Sequence, residues 1–304
     1  MPSPFIFWPC FSAIAFLALG LFAVRKELKA ALRLDKLLVL ARVFVATPLA
    51  VFGAEHLAGA QFIMQAVPAW MPARLFWTYF VGLALIAAAL SLIFMKYVPA
   101  SGMLLGIMFV LFVLMIHFPN VAANPKDRIL WTVALRDLSF AGGAFALAGT
   151  QFQQLNESIS KALILIARGF VAVPLLFFAV EHILHPQFAP GVPLPKLTPA
   201  GVPFPHVLAT IVAVALFVAG VCLLIGKYAR TTTTWLGLVL VLLTFFFYLP
   251  ILALARQPAQ ITEGLNYVED TMLFAGMVLF LAAAMPAIPT AASNDKPDSA
   301  AQAK

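Results

Sequence analysis

Charged residues are scarce in this chain of 304 residues. Only 10 % of the residues are Asp, Glu, Lys or Arg, whereas 63 % are apolar, and the mean hydropathy is +1.01. A soluble domain has about 25 % charged and about 45–50 % apolar residues. A chain of this size cannot hide so large an excess of apolar surface from water. The composition therefore excludes an ordinary soluble protein and predicts an integral membrane protein.

Cysteine is also nearly absent. Cys10 and Cys222 lie far apart in apolar segments and form no C-x-x-C motif, which disfavours dithiol redox chemistry. The net charge is +7, but no basic run is interleaved with aromatic residues, so we expect no nucleic-acid partner. The N-terminus lacks a basic n-region, and we interpret it as a membrane span rather than a signal peptide.

Nine apolar stretches are long enough to cross a bilayer as helices, for which about 20 residues are needed. They lie near residues 5–24, 37–56, 75–95, 100–118, 130–149, 162–182, 206–226, 233–252 and 268–286. The Lys and Arg residues between them favour the side that holds residues 25–36, which the positive-inside rule assigns to the cytoplasm. We therefore predict that the N-terminus lies outside and the C-terminus inside.

One sequence phrase occurs twice. Residues 41–56 read ARVFVATPLAVFGAEH, and residues 167–182 read ARGFVAVPLLFFAVEH. A repeat of roughly 130 residues is a duplicated domain, because solenoid repeats run about 20–50 residues. Each unit contains an even number of spans, so both units enter the membrane from the same side and are parallel repeats.

The predicted fold is an all-α integral membrane protein with two parallel-repeat four-helix transmembrane bundles plus one extra N-terminal transmembrane helix. Residues 1–36 hold that helix and a basic cytoplasmic segment, residues 37–150 the first unit, residues 151–161 a linker, and residues 162–286 the second unit. Residues 287–304 are small and polar and are predicted to form a disordered tail. One chain then mimics a homodimer of four-helix units.

The connection at residues 183–205 is rich in proline. Repeated proline excludes a regular helix and favours extended or turn structure. Two interpretations stay open: the loop caps the second bundle, or it is an ordinary connector.

Ionisable groups inside apolar spans are costly in a membrane and are usually functional. In the first unit these groups are Glu55, His56, His117, Arg136 and Asp137, which we expect at a similar depth near one end of the bundle. A carboxylate near Arg136 is expected to stay ionised, and either histidine can take up or pass on a proton. A structural interpretation also stays open, in which Glu55, Arg136 and Asp137 form an ion-pair lock between helices.

The second unit has a different set of candidates, namely Glu181, His182, Glu269 and Asp270. Glu269 stands where the first unit has Arg136, so the second set lacks an internal cation. Three acids in one neighbourhood cannot all ionise at low cost, so that one is protonated, a histidine is cationic or a metal binds. Because no usual metal-binding spacing of histidine and acid residues is present, we assign no metal site.

These residues resemble the pattern of the DoxX-like family of bacterial membrane proteins. The matching residues are Arg42, Pro48, Glu55, His56, Lys96, Tyr97 and His117 in the first unit and Arg168, Pro174, Glu181, His182, Lys227 and Tyr228 in the second. Tyr248 departs from the histidine of the pattern. The resemblance covers all but the first span and the tail, and it implies a tandem duplication of a four-helix unit in the bacterial inner (plasma) membrane.

Some members of that family are subunits of thiosulfate:quinone oxidoreductase. The resemblance therefore implies a quinone-linked redox subunit, or the membrane anchor of an oxidoreductase complex, with quinone entering from the lipid. Glu55, His56, His117 and Asp137 would exchange protons with the quinone oxygens. No haem, flavin or iron–sulfur motif is present, so the electrons would come from a soluble or membrane redox partner. The alternatives are a small-solute or proton-coupled transporter and a structural assembly module without catalysis.

Overall fold

A computed structural model of the chain describes residues 4–286, and the predicted tail at residues 287–304 lies outside this range. Within it the chain is helical, and nine helices are long and apolar enough to cross a membrane, as predicted. They are α1 (Pro4–Ala30), α2 (Asp35–Ala58), α3 (Arg74–Phe94), α4 (Val98–Ala123), α5 (Arg128–Phe152), α6 (Glu157–Leu184), α7 (Pro205–Ile225), α8 (Ala229–Leu254) and α9 (Pro258–Ala284). The connections alternate between two ends of the bundle. The end that holds residues 59–73 and 185–204 is called the long-loop end.

The last helix begins ten residues before the predicted span at residues 268–286. Pro258 lies in its first turn, where the missing N–H removes no helical hydrogen bond. Gln257 and Gln260 form a capping box that closes this end. The segment that follows is polar, so hydropathy alone does not locate the start of α9.

The predicted linker at residues 151–161 is also mostly helical. α5 continues to Phe152, and α6 begins at Glu157. Asn156 caps α6, because its side chain accepts a hydrogen bond from the N–H of Ile159 at 3.0 Å.

The helices α5 and α9 form the centre of the bundle. α5 packs against α4, α6 and α9, and α9 packs against α2, α5 and α8. Two closed rings of helices result and share this central pair. The first ring is α2, α3, α4, α5 and α9, and the second ring is α6, α7, α8, α9 and α5. Contacts between the two predicted units are therefore as much a part of the core as contacts within them, while α1 packs mainly on α2.

Small residues let the central helices approach closely. Residues 139–149 of α5 are all buried. A Cβ on Gly143 would lie 2.4 Å from the Cβ of Met277 on α9, and a Cβ on Gly276 would lie 2.6 Å from Val45 Cγ2 on α2. Lipid chains are as apolar as leucine, so close packing of this kind drives helix association in membranes.

Two helices contain a wide, π-helical turn near the long-loop end. These turns are Val113–His117 in α4 and Thr244–Tyr248 in α8. A proline follows each of them, Pro119 or Pro250, and proline cannot donate the backbone hydrogen bond of a regular helix. Turns of this kind are frequent at functional sites, and they end at His117 and Tyr248.

The close approach of α5 and α9 can be tested with a single methyl group. We expect Gly143→Ala to lower the free energy of unfolding by about 1–3 kcal/mol, because the added Cβ overpacks the interface. Gly169→Ala is the matched control, since a Cβ at Gly169 meets no neighbouring atom within 4 Å. Thermal unfolding of the detergent-purified protein measures both variants. An unchanged midpoint for Gly143→Ala would contradict the packing described here.

Candidate functional site

The first ring encloses a pocket of about 510 Å³ at the long-loop end, here called the first-ring pocket. Most of its lining is apolar and aromatic. Its polar lining residues are Glu55, His56, Thr78, His117, Arg136, Asp137, Asn266 and Asp270. The connection at residues 59–73 covers the pocket as a lid and contributes Ile63, Val67 and Met71 to the lining. The five candidates of the first unit thus share one pocket.

A chain of charged groups crosses this pocket. His117 Nε2 lies 2.8 Å from Asp137 Oδ2, and Arg136 Nε donates to Asp137 Oδ1 at 3.0 Å. Arg136 Nη1 also donates to Asp270 Oδ2 on α9 at 2.8 Å. Charge-assisted hydrogen bonds of this length are among the strongest in proteins. Arg136 therefore joins an acid of its own helix to an acid of α9.

Glu55 has a neutral partner rather than a cation. The side-chain amide of Asn266 on α9 faces its carboxylate, and with the amide nitrogen on that side it donates to both oxygens at 2.9 and 3.1 Å. Glu55 is buried, with 8 % of its surface exposed. A second residue of α9 therefore takes part in the first-ring pocket.

His56 has one ring nitrogen committed and one available. Its Nδ1 lies 2.7 Å from the carbonyl oxygen of Phe52. A carbonyl oxygen only accepts hydrogen bonds, so Nδ1 carries the proton, and Nε2 of the neutral ring is an acceptor. Among residues 4–286 no other hydrogen bond to this ring is present, and the ring lines the first-ring pocket.

The first-ring pocket reaches the lipid-facing surface between α3 and α4, which contact each other only slightly. Phe80 on α3 and Leu111 on α4 border it and are 52 % and 45 % exposed. Phe140 and Leu273 close its inner end and are fully buried. The pocket is therefore open sideways and closed towards the centre of the bundle.

The second ring is filled by the chain itself. Residues 185–204 form a hairpin in which the N–H of Ala189 bonds to the carbonyl of Lys196 at 2.8 Å. The tip of this hairpin, residues 189–193, is entirely buried. A Cβ on Gly191 would lie 3.8 Å from Leu243 on α8 and 4.0 Å from Thr271 on α9. The proline-rich connection is thus neither a cap nor an ordinary connector, because its tip enters the ring.

Polar groups of the second ring hold the hairpin tip. The N–H of Gly191 donates to His182 Nε2 at 2.9 Å, and the hydroxyl of Tyr248 donates to the carbonyl of Pro190 at 2.6 Å. A single peptide group is therefore bound on both of its edges. Arg128 Nη1 donates to the carbonyl of Pro193 at 2.9 Å and to Glu181 Oε2 at 3.0 Å.

The four candidates of the second unit are not brought together. Glu181 pairs with Arg128, His182 binds the hairpin, and Asp270 lies in the first-ring pocket. The grouping of three acids considered from the sequence does not form, because α9 lies between the two rings. Neighbouring residues on a helix point in different directions, so Glu269 and Asp270 face different surroundings.

Glu269 faces a separate cavity of about 250 Å³ between α1, α2, α8 and α9, which Thr47 and Cys10 also line. Glu269 Oε2 and Thr47 Oγ1 are buried, and neither has a hydrogen-bond partner within residues 4–286. Burying an isolated charged carboxylate is very costly. We therefore expect Glu269 to be held in its neutral, protonated form.

Sequence reasoning missed Asn266 and Arg128 as parts of these sites. Asn266 precedes Asp270 by one helical turn, so both fall on one face of α9, and that spacing was the available signal. Arg128 opens α5, and its position in the sequence marks it only as a basic residue between two spans. Neither its partner Glu181 nor the hairpin contact can be read from local sequence.

Comparison of the chain with protein-family models, with curated proteins and with solved structures finds no match. The resemblance to the DoxX-like family is therefore carried by the residues of the chain alone.

The network around Arg136 predicts a large effect of one substitution. We expect Arg136→Met to lower the free energy of unfolding by about 3–5 kcal/mol, because it leaves buried acids without their cation. Adding Asp270→Asn to this variant should restore part of the loss. Lys161→Met is the control, since its pair with Glu157 is exposed, and it should leave the midpoint unchanged. Equal stability of Arg136→Met and wild type in thermal unfolding would show that the network does not hold α5 to α9.

The neutral state of Glu269 can be checked chemically. Dicyclohexylcarbodiimide adds to protonated carboxyl groups in apolar surroundings, so we expect it to modify Glu269. Glu181 should stay unmodified, because its carboxyl group is already paired with the guanidinium of Arg128. Mass spectrometry of the labelled protein and its peptides gives the readout, with Glu269→Gln as the control. Modification of Glu181 with none at Glu269 would reverse the assignment.

Proposed function

We propose that the chain is a DoxX-like protein of the bacterial inner membrane, built from two parallel repeats, whose first-ring pocket binds a quinone. It acts as a quinone-linked redox subunit or as the membrane anchor of an oxidoreductase complex. The N-terminus lies outside and the C-terminus in the cytoplasm, so the pocket lies towards the outer surface.

The backbone supports the two-repeat arrangement. The left-handed residues Ala73 and Tyr97 precede α3 and α4, and Phe204 and Tyr228 precede α7 and α8 in the same way. The π-helical turns of α4 and α8 also occupy matching places. The proposal places a two-fold axis along the membrane normal between α5 and α9, and such an axis is consistent with the central pair that both rings share.

One observation carries the assignment of a quinone, namely an apolar pocket that opens sideways to lipid and has a few polar groups in its lining. Quinones are lipid-soluble, and their oxygens need hydrogen-bonding groups within an apolar slot. The first-ring pocket offers both within about 510 Å³, which lies in the usual range of ligand pockets, about 300–1,000 Å³. Its closed inner end favours a binding pocket over a path across the membrane.

The residues of the pocket have distinct tasks in this proposal. His56 presents an acceptor nitrogen to the ligand. His117 is held in place by Asp137, and its ring exchanges a proton with a quinone oxygen in this proposal. Arg136 holds Asp137 and Asp270 in place. A bound quinone supplies the electron and proton chemistry, and the electrons come from a partner protein.

The bond between Arg136 and Asp270 favours a second candidate, an assembly module without catalysis. This bond joins the two predicted units. A purely structural role needs the ion pairs but not the empty space beside them. The two candidates therefore differ in whether the pocket has to stay open.

Filling the pocket distinguishes these candidates. A ligand present at 100 times its dissociation constant stabilises the folded state by about 2.7 kcal/mol. We expect short-chain ubiquinone or menaquinone analogues to raise the thermal midpoint of wild type but not of Val81→Trp, whose indole fills the pocket. Leu83→Trp, on the lipid face of the same helix, is the control and should behave as wild type.

A second pair of variants assigns the site to one ring. Glu55→Gln alters the first-ring pocket and should weaken the shift, whereas Glu181→Gln lies beside the filled second ring and should leave it unchanged. If well-folded wild type shows no shift with any quinone, the quinone assignment is wrong, and the assembly module becomes the better interpretation.

A further inference from the structure

We infer that the hairpin at residues 185–204 is an internal ligand of the second ring, and that it reveals how the first-ring pocket holds its own ligand. The pocket binds a molecule that donates a hydrogen bond to His56 Nε2, and among quinone forms this is the hydroquinone. This inference rests on the proposed function, since it treats the two rings as copies of one site.

The two histidines are placed alike. His56 and His182 each bond through Nδ1 to the carbonyl four residues earlier, at 2.7 Å in both cases. The two imidazole groups therefore have the same tautomer when neutral and the same acceptor at Nε2. They differ in what Nε2 meets. His182 accepts from the N–H of Gly191, whereas His56 faces the open first-ring pocket.

The connections at the long-loop end explain this difference. In the first ring, residues 59–73 fold into short helical turns and lie over the pocket as a lid. In the second ring, the longer connection turns inward and places residues 189–193 among α6, α8 and α9. The same region of the two rings is therefore empty in one and occupied by backbone in the other.

The hairpin shows the chemistry that such a site accepts. The peptide group between Pro190 and Gly191 offers a donor to His182 and an acceptor to Tyr248. A hydroxyl group offers the same pair of functions from one atom. A quinone carbonyl has no donor for His56 Nε2, whereas a hydroquinone has one. His56 is then the residue that selects the reduced form.

A labelling experiment tests the internal ligand without any quinone. Phe112 lines the first-ring pocket at the place where Leu243 touches the hairpin tip in the second ring. Each is changed to cysteine in a Cys10→Ala, Cys222→Ala background and treated with methyl methanethiosulfonate. The hairpin is shortened by replacing residues 190–195 with Asn-Gly, a turn suited to a two-residue hairpin loop.

We expect Phe112→Cys to react at the same rate with either hairpin. Leu243→Cys should react slowly with the full hairpin and at least about tenfold faster with the shortened one, because local shielding sets such rates. Gly191→Ala is a milder change that should also loosen the hairpin tip and expose Leu243→Cys. Its φ of 113° disfavours any side chain, yet its nearest contact of 3.8 Å leaves room for the methyl group. Equal rates for Leu243→Cys with full and altered hairpins would overturn the inference.

A binding experiment tests the ligand chemistry. Decylubiquinol, kept reduced, and decylubiquinone are titrated into the purified full-length protein, and affinity and stoichiometry are measured. We expect wild type to bind one molecule per chain and to prefer the quinol about fivefold, the effect of one hydrogen bond. His56→Leu should lose the preference, and His182→Leu should keep it. The shortened hairpin should raise the capacity to two molecules per chain.

The outcomes separate this inference from the proposed function. If neither form binds to well-folded wild type, the proposed function fails, and the labelling result still decides whether the hairpin occupies a closed copy of the site. If the quinone binds as tightly as the quinol and His56→Leu changes nothing, the quinone pocket stands and the role of His56 is wrong. If Leu243→Cys reacts fast in the variant with the shortened hairpin, and this variant still binds one quinol per chain, the second ring is not a copy of the binding site.

Discussion

The guanidinium group of Arg136 can lie inside the bundle only because acids from two helices neutralise it. Asp137 is the next residue after Arg136, whereas Asp270 lies 134 residues further along the chain. Only the packing of α9 can therefore bring Asp270 to the guanidinium. This requirement places α9 against α5, and Gly143 of α5 allows the contact to be close. The two rings share a helix pair for the same reason. In a low-dielectric interior, any arrangement of the helices that separated the Arg136 guanidinium from these acids would be much less stable.

The two rings then use similar surroundings in opposite ways. The first contains a guanidinium, three carboxylates and two histidines around an open space. The second contains Arg128 at the rim, a tyrosine and backbone that satisfies the polar groups from within. The filled second ring contributes packing and hydrogen bonds to the fold, whereas the open first ring leaves its polar groups available to a ligand. The two rings are therefore chemically different although both are built around the same central pair of helices.

The helices and the first set of polar residues could be predicted because both depend on local properties. Span number follows from apolar length, and the depth of Glu55 or His117 follows from a fixed rise per residue. Positions set by contacts between distant segments could not be predicted in the same way. Glu269 and Asp270 are adjacent in sequence, yet they face different cavities, and only the rotation of α9 decides which cavity each one faces. The start of α9 at Pro258 depends on a cap within a polar segment that hydropathy ignores.

The hairpin has a consequence for biogenesis. Residues 185–204 leave the ribosome before α8 and α9, which carry Tyr248 and Thr271, two of the residues that enclose the tip. Until α8 and α9 have been synthesised, the hairpin has no complete binding site, so its peptide groups stay hydrated at the membrane surface. Insertion of the last two helices then supplies the missing walls. The second half of the protein therefore completes its assembly only after its final helix is in the membrane, and a chain truncated before α9 would leave this segment exposed to proteases.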